Sequence, residues 1–347
     1  MKQSMLPIHY AARLLDQAHK AGCKVDDLLD KLQLDASYFE QNNEIPALKY
    51  GEIYQLVMRS TQNEWFGIFA DGKVPLGAFR LMCLTLLNCS NLRQAIVRAG
   101  EFAEVCRGLQ VRYLLQANEE LANLSLAPSR TMSEQEFAKK VDEAESETLV
   151  ASMITWHRLS EWLIGMEIPI RKATVTFSKE RESIPLVLPK VEYFEYAAPT
   201  NSISYDVKYL DYPIVQNESS LMSFLRTAPY HLVTEDPTHV STADKVRNIL
   251  KRDVSGNMPS AEAVASQLNV SVTTLRRQLQ KDDTSYQKLK DECRMEAAFH
   301  YLGCLDLSNN DIAEMLGFDE PSAFFRSFKK WTGQTPGEYR MTISQDH

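Results

Sequence analysis

Ala261 to Gln280 reads AEAVASQLNVSVTTLRRQLQ, and Asp311 to Lys330 reads DIAEMLGFDEPSAFFRSFKK. The second stretch repeats the first. Val264, Ala265, Leu268 and Asn269 correspond to Ile312, Ala313, Leu316 and Gly317 at an offset of 48. Leu275, Arg277 and Leu279 correspond to Phe324, Arg326 and Phe328 at an offset of 49, so the later turn is one residue longer. Each stretch reads as a short helix, a tight turn and a second helix. A small Ala lets the second helix cross the first, and Asn or Gly tolerates the left-handed backbone that turns the chain. The spacing predicts two helix-turn-helix units, at about 261–281 and 309–330.

In such a unit the second helix enters the major groove of DNA, its exposed side toward base edges and its apolar side on the core. With Leu275 and Leu279 facing inward, Ser271, Thr273, Thr274, Arg276, Arg277 and Gln280 are the expected DNA-binding residues of the first unit. Ser271 also has the chemistry of a helix cap. With Phe324 and Phe328 inward, the second unit offers Ser322, Arg326, Lys329 and Lys330, where Arg326 can serve as a phosphate contact or as half of an internal ion pair. Pro321 and Ala323 supply no hydrogen-bonding side chains, so the first unit is expected to carry most of the base discrimination. Between the units, Leu289, Cys293, Ala297 and Leu302 predict one helix from Ser285 to Leu305, of about twenty residues or ~30 Å. That approaches the ~34 Å turn of DNA and would hold two recognition helices in successive major grooves. A lone helix pair with a small residue at the crossing is often only a helical corner, and the repetition is what favours DNA.

Outward from the repeat, Ser241-x-x-Asp244, Ser308-x-x-Asp311 and Thr335-x-x-Glu338 have the form of helix-start boxes, with Pro336 at a first helical position. No strand pattern occurs after residue 240, so residues 236–347 are expected to form an all-α DNA-binding domain. Tyr230 to Val240, YHLVTEDPTHV, loses hydrophobic periodicity and reads as a linker, with the boundary near residue 235. Residues 1–235 are mixed. Residues 7–60 look largely helical, and Leu92, Ala95, Ile96, Ala99, Phe102 and Val105 recur at helical spacing. Leu109, Val111, Tyr113 and Leu115 alternate with Gln110, Arg112, Leu114 and Gln116 as a strand does. Leu124 and Leu126 follow a break at Ala117-Asn118 and predict a hairpin. Phe137 to Leu163 suggests long helical structure, Ala173, Val175 and Phe177 a third strand, and Ser219 to Thr227 a further helix. The fold class expected is an α+β N-terminal domain plus an all-α C-terminal domain with two helix-turn-helix units joined by a linker helix.

The chain has 347 residues, 44% hydrophobic and 24% charged, the composition of an ordinary globular protein with two domains or more. Its net charge of -8 speaks against wholesale coating of nucleic acid, though not against a local site. From Ser241 onward 14 basic residues meet 15 acidic ones, so -7 of the -8 lies on residues 1–240. The longest stretch without Asp, Glu, Lys or Arg is Ala263 to Leu275, 13 residues, short of the ~18 apolar residues that span a membrane. With no secretory signal visible at Met1 to Ala12, a cytoplasmic protein is expected. The six cysteines form no C-x-x-C pair and read as reduced, mostly buried thiols; no metal site is expected.

The stretch DIAEMLGFDEPSAFFRSFKKWTGQTPGEYR, Asp311 to Arg340, closely resembles the signature of AraC/XylS-family transcription regulators, and VASQLNVSVTTLRRQLQKDDTSYQKLKDECRMEAA resembles their first unit and linker helix. IPALKYGEIYQLV near Ile45, LGAFRLM near Leu76 and APTNSISYDVKYLDYPI from Ala198 are similar to the branch with an arabinose-binding-type N-terminal domain. That label need not mean arabinose, and the mixed helices and strands do not look like a small β-barrel. The resemblance implies a sequence-specific DNA-binding regulator, usually an activator, whose N-terminal domain senses a small effector or dimerises. The partners implied are duplex DNA, RNA polymerase, an effector and a second copy of the chain, with no membrane and no cofactor. The competing expectation is an N-terminal domain that only dimerises or meets a protein partner. An enzyme is not expected: residues 1–235 contain no Gly-rich phosphate loop, no G-x-S-x-G and no H-E-x-x-H. His157, between Trp156 and Trp162, reads as a packed histidine, and Tyr193, Phe194 and Tyr196 as residues that pack a sheet.

Overall fold

The computed structural model describes residues 5–64, 73–106, 108–181, 190–227, 232, 241–251, 253–255, 258–304 and 307–345. Two compact units divide at His239/Val240. Apart from Leu232, which is buried, the expected linker Tyr230–Val240 lies outside the described residues.

The first unit holds two main cores, besides a small cluster of Val74, Ala78, Ala103 and Leu109. The smaller is built from helices α1 (Ile8–Lys20), α2 (Val25–Leu32), α3 (Ser37–Gln41) and α4 (Ala47–Thr61), which bury Leu14, Leu15, Leu28, Ile53 and Val57. Its helical character matches the sequence expectation, but two three-residue strands, β1 (Met5–Pro7) and β2 (Glu44–Pro46), pair antiparallel inside it. They are too short to show a period of two in sequence.

The larger core lies on a five-stranded sheet made of β3 (Val111–Ala117), β4 (Leu121–Pro128), β5 (Ile170–Thr174), β6 (Val191–Glu195) and β7 (Ser202–Asp206), in the order β3-β4-β7-β5-β6. The expected hairpin is β3-β4, with Tyr113 opposite Leu126 and Leu115 opposite Leu124. Only β5 and β6 run parallel. One face of the sheet carries Leu124, Ile203, Ala173 and Tyr205, buried against the core. On the other face Thr174 meets Ser202 at 2.9 Å and Ser204 donates to Asn123 at 2.9 Å, short polar side chains that satisfy one another across strands. The third strand is displaced from its expected position: it ends at Thr174, while Val175 and Phe177 leave it yet stay buried. Helices α5 (Ala78–Leu87), α6 (Leu92–Val105), α7 (Glu134–Glu143), α8 (Ser146–Ile164) and α9 (Glu218–Thr227) complete the unit. The long helical run from Phe137 breaks at Ala144-Glu145, both extended, because a new helix starts at Ser146.

The second unit is all-helical among its described residues. Thr242–Leu250 opens it, capped by Ser241. Ala261–Gln267 and Val272–Lys281 form the first helix pair, and Asn309–Met315 and Pro321–Thr332 the second. Pro336–Gln345 closes it. Asn269 at φ 53° and Gly317 at φ 70° make the two turns in the left-handed conformation anticipated for them. The linker helix is Tyr286–Leu302, 17 residues or ~26 Å, shorter than expected because Ser285 is its cap and Gly303 its end. Its buried positions also differ. Leu289 and Cys293 belong to the core of the first pair, and Ala298 and Leu302 to that of the second, with Ala297 only half-buried. At 100° per residue these two sets lie about 180° apart, so the helix is clasped on opposite faces by the two units.

A candidate nucleic-acid interface on two helices

The first candidate helix, Val272–Lys281, is started by Ser271, whose hydroxyl accepts from the Thr274 amide at 3.1 Å and lies 2.9 Å from the Thr274 hydroxyl. Two of the expected DNA-binding hydroxyls are therefore committed to the cap. Leu275 and Leu279 are buried as expected, while Thr273, Arg276, Arg277 and Gln280 are exposed. Helical geometry refines that set. Thr273 and Arg277 stand opposite the buried leucines, Gln280 and Thr274 lie about 120° from them on either side, and Arg276 lies on the flank at about 80°. Arg276 is near enough to Glu262 to help hold that carboxyl below its ordinary range, after the Glu262 amide and the Ser260 side chain that hydrogen-bond to it.

The second candidate helix, Pro321–Thr332, has Pro at its first position and buries Phe324 and Phe328. Ser322, Arg326, Lys329 and Lys330 are exposed. By the 49-residue offset, Ser322, Arg326 and Lys329 occupy the places of Thr273, Arg277 and Gln280, and Phe325 occupies that of Arg276. Phe325 is 36% exposed. An apolar ring at that place can meet a thymine methyl but no hydrogen-bonding base edge.

The near-neutral charge of this unit hides a separation of roles. Its ion pairs among the described residues are Arg247–Asp244 at 2.6 Å, Arg247–Glu292 at 3.3 Å and Lys251–Glu296 at 2.6 Å, all on the opening and linker helices. Other acids cap backbone: Asp282 accepts from Ala243 at 2.8 Å, Asp311 from Ser308 at 2.9 Å, and Glu338 from Thr335 at 2.7 Å. Arg276, Arg277, Arg326, Lys329 and Lys330 form no ion pair with any described residue. For Arg326 this removes the internal-pair alternative within the described residues.

One positioning residue was not legible in the sequence. Arg294 of the linker helix lies 5.0 Å over the Phe318 ring and donates to the Gly317 carbonyl at 3.5 Å. Phe318 in turn contacts Phe324. Arg294 thus ties the linker helix to the turn that leads into the second candidate helix, a link between residues 23 positions apart that carries no local signal.

A family model described as a helix-turn-helix domain matches residues 264–342, and one described as the N-terminal arabinose-binding domain of AraC transcription regulators matches residues 22–214, more than half of the chain. The chain belongs to the AraC family of transcription regulators. It is a DNA-binding regulator with an arabinose-binding-type N-terminal domain. The ornithine utilization regulator of Pseudomonas aeruginosa is 24% identical over 339 residues, covering 97% of this chain and 96% of that protein. VirS of Mycobacterium tuberculosis is 34% identical over 104 residues, 30% of this chain and 31% of that protein. Among solved structures, CdpR of Pseudomonas aeruginosa aligns over 96% of this chain and 98% of its own at 17% identity, with a TM-score of 0.32. A dual regulator from Escherichia coli K-12 aligns over 32% of this chain and 99% of its own at 25% identity, with a TM-score of 0.30.

The expected packed histidine is fully buried: His157 is 2% exposed with its Nε2 3.4 Å from Glu161. Tyr193 is exposed, with Lys172 5.5 Å from its ring, while Phe194 and Tyr196 pack on the sheet core. None of the six cysteines forms a disulfide, but only Cys83, Cys89 and Cys293 are buried, fewer than expected. Among the described residues no helix is long and apolar enough to cross a membrane, and no group of three or more His, Cys, Asp or Glu could hold a metal.

Proposed function

We propose that this regulator activates transcription in the cytoplasm under control of a small effector bound to its N-terminal unit, as a homodimer that meets RNA polymerase at the promoter. The observation that carries the DNA-reading part is the outward face of the two helices, where five cations form no ion pair with any described residue while Asp244, Glu292 and Glu296 pair with the scaffold and Asp282 and Asp311 cap backbone. Arg277, Thr273 and Gln280 read base edges from the centre of the first helix, with Arg276 beside them. Ser322 and Arg326 approach the second half-site, and Lys329 and Lys330 hold its phosphates. Ser271 and Thr274 act through the cap, which aims the helix. A relative named as an activator, PerA of Escherichia coli, 29% identical over 104 residues, supports the sign of regulation.

The test is transcription in vitro from a promoter selected by the protein, with purified RNA polymerase and extracts fractionated for small metabolites. Full-length protein should raise transcript yield, and a fraction should change that yield. Effector-independent stimulation would favour an N-terminal unit that only dimerises or binds a protein partner.

A further inference from the structure

Phe325, on the helix Pro321–Thr332, is the one exposed Phe, Tyr or Trp among the described residues of the second unit. The rings around it go inward. Phe318, Phe324, Phe328, Phe299 and Tyr339 form a continuous set, with centroids 5.6 Å apart for Phe318 and Phe324, 5.8 Å for Phe324 and Phe328, and 5.7 Å for Phe328 with both Phe299 and Tyr339. Phe325 stands at the edge of this set. Among the described rings it meets Phe324 alone, at 5.8 Å, and more than a third of its surface is open. Single exposed apolar residues are common on any protein surface, so exposure by itself marks nothing.

Position gives the ring its meaning. At 100° per residue, Phe325 lies about 80° from the inward direction set by Phe324 and Phe328, with Lys329 and Ser322 at about 120° and 140° on the same side. Ser322, Phe325 and Lys329 therefore form one ridge, spaced by three and four residues, along an edge of the outward face. Side chains on a helix lean toward its N-terminus, so a ring at 325 covers the turn that carries Ser322. That turn is the end which a recognition helix presents to base edges. In the first unit Arg276 holds the equivalent place with several N–H donors, whereas Phe325 brings none.

The chemistry of the groove selects the partner of such a ring. Of the groups that base pairs present in the major groove, the C5-methyl of thymine is the apolar one. A ring laid on that methyl takes both out of water. Laid on a purine N7, it would bury an acceptor without a donor, and beside the bare C5 of cytosine it would leave a gap. We propose that Phe325 is a specificity-determining residue that recognises the C5-methyl group of one pyrimidine in the second half-site. The proposal deepens the DNA-reading part of the proposed function and rests on it. Equivalent places on the two helices then read by different chemistry, hydrogen bonding from Arg276 and methyl contact from Phe325. Cytosine carries the same methyl once it is methylated at C5, so the contact also makes the site responsive to cytosine methylation at this one position.

The test is a competition gel shift of the full chain on the duplex it selects from random sequence, with each thymine of the second block replaced in turn by deoxyuridine. That exchange removes the methyl and keeps every hydrogen-bonding group. One replacement should weaken binding about fourfold, the loss that exposing one methyl group supports. Phe325→Ala should bind the thymine and deoxyuridine duplexes equally, and Phe325→Asn carries the same comparison where the alanine variant does not fold. Arg326→Ala should bind both more weakly and keep the fourfold ratio, which separates a methyl contact from a general loss of docking. With cytosine at the sensitive position the wild-type chain should bind more weakly than with thymine, and 5-methylcytosine should recover about fourfold over cytosine. A second block with no methyl-sensitive position, or a methyl sensitivity that survives in Phe325→Ala, overturns the proposal. Unchanged DNA binding by Phe325→Ala with loss of transcription in vitro would give the ring to a protein partner instead, and overturns it too. A chain that selects no sequence removes the DNA-reading proposal itself, whereas a second block that Arg326→Ala erases but deoxyuridine leaves untouched removes only the role of Phe325.

Discussion

Arg277 and Arg326 occupy equivalent places at the centres of the two outward faces, and their neighbours decide how different their work is. Arg277 has Thr273, Gln280 and Arg276 around it, all able to hydrogen-bond a base edge, whereas Arg326 has Ser322, Lys329 and the apolar Phe325 in the equivalent places. Arg277→Ala should cost about 1–3 kcal/mol of specific DNA affinity and relax preference at one base pair, with Ser322→Ala costing less. Competition gel shifts against a set of single-base operator variants check this; equal costs would contradict the ranking, and a larger cost for Ser322→Ala would put the reading helix in the second unit. The proposed reading puts Lys329 in a different class of contact. Lys329→Ala should weaken all sequences alike and make the slope of log affinity against log salt shallower by about 0.9, the share of one phosphate. An unchanged slope with altered sequence preference would place Lys329 in the groove rather than on the backbone.

At the scale of elements, what the sequence made legible is what is local. Ser308 and Asp311, or Thr335 and Glu338, declare a helix start within four residues, and the leucine and phenylalanine spacings declare a buried face within two turns. The structure adds what depends on partners far away in the chain. β7 is not legible locally because Ser202 and Ser204 alternate with Ile203 and Tyr205, a pattern that looks half-exposed until Thr174 and Asn123 arrive to bury the serines. The linker helix misled for a similar reason: its buried face changes sides between Cys293 and Ala298 because two cores claim it. The local caps have a pH consequence. Hydrogen bonds from Ser308 hold the Asp311 carboxyl below its ordinary range, and those from Thr335 do the same for Glu338. A depressed folded-state value contributes stability that is present above the unfolded value and lost as pH falls through the folded one. The urea midpoint of a fragment beginning at Ser241 should therefore drop below about pH 4, and Asp311→Asn should flatten part of that drop. A midpoint that stays level down to pH 3 in circular-dichroism titrations, taking pH 3 as roughly one unit below the carboxylate range, contradicts the cap account.

For the whole molecule, the two units have different tasks. The second contains both helix pairs and its own two cores, so a fragment from Ser241 should fold alone and bind duplex DNA. It should bind more weakly than the full chain, because the proposed dimerisation of the first unit would raise the effective concentration of the second DNA domain. Gel-shift titrations of both at equal salt check this, and equal affinities would remove dimerisation from the role of residues 1–239. The most direct test of the central claim, that two helices of one chain read adjacent turns of DNA, is selection of binding sites from randomised duplexes by the Ser241 fragment, repeated with Arg277→Ala and Arg326→Ala. Two conserved blocks about one helical turn, ~34 Å, apart are predicted, with Arg277→Ala erasing information only in one block and Arg326→Ala only in the other. A single block, or the same block lost in both variants, would contradict it.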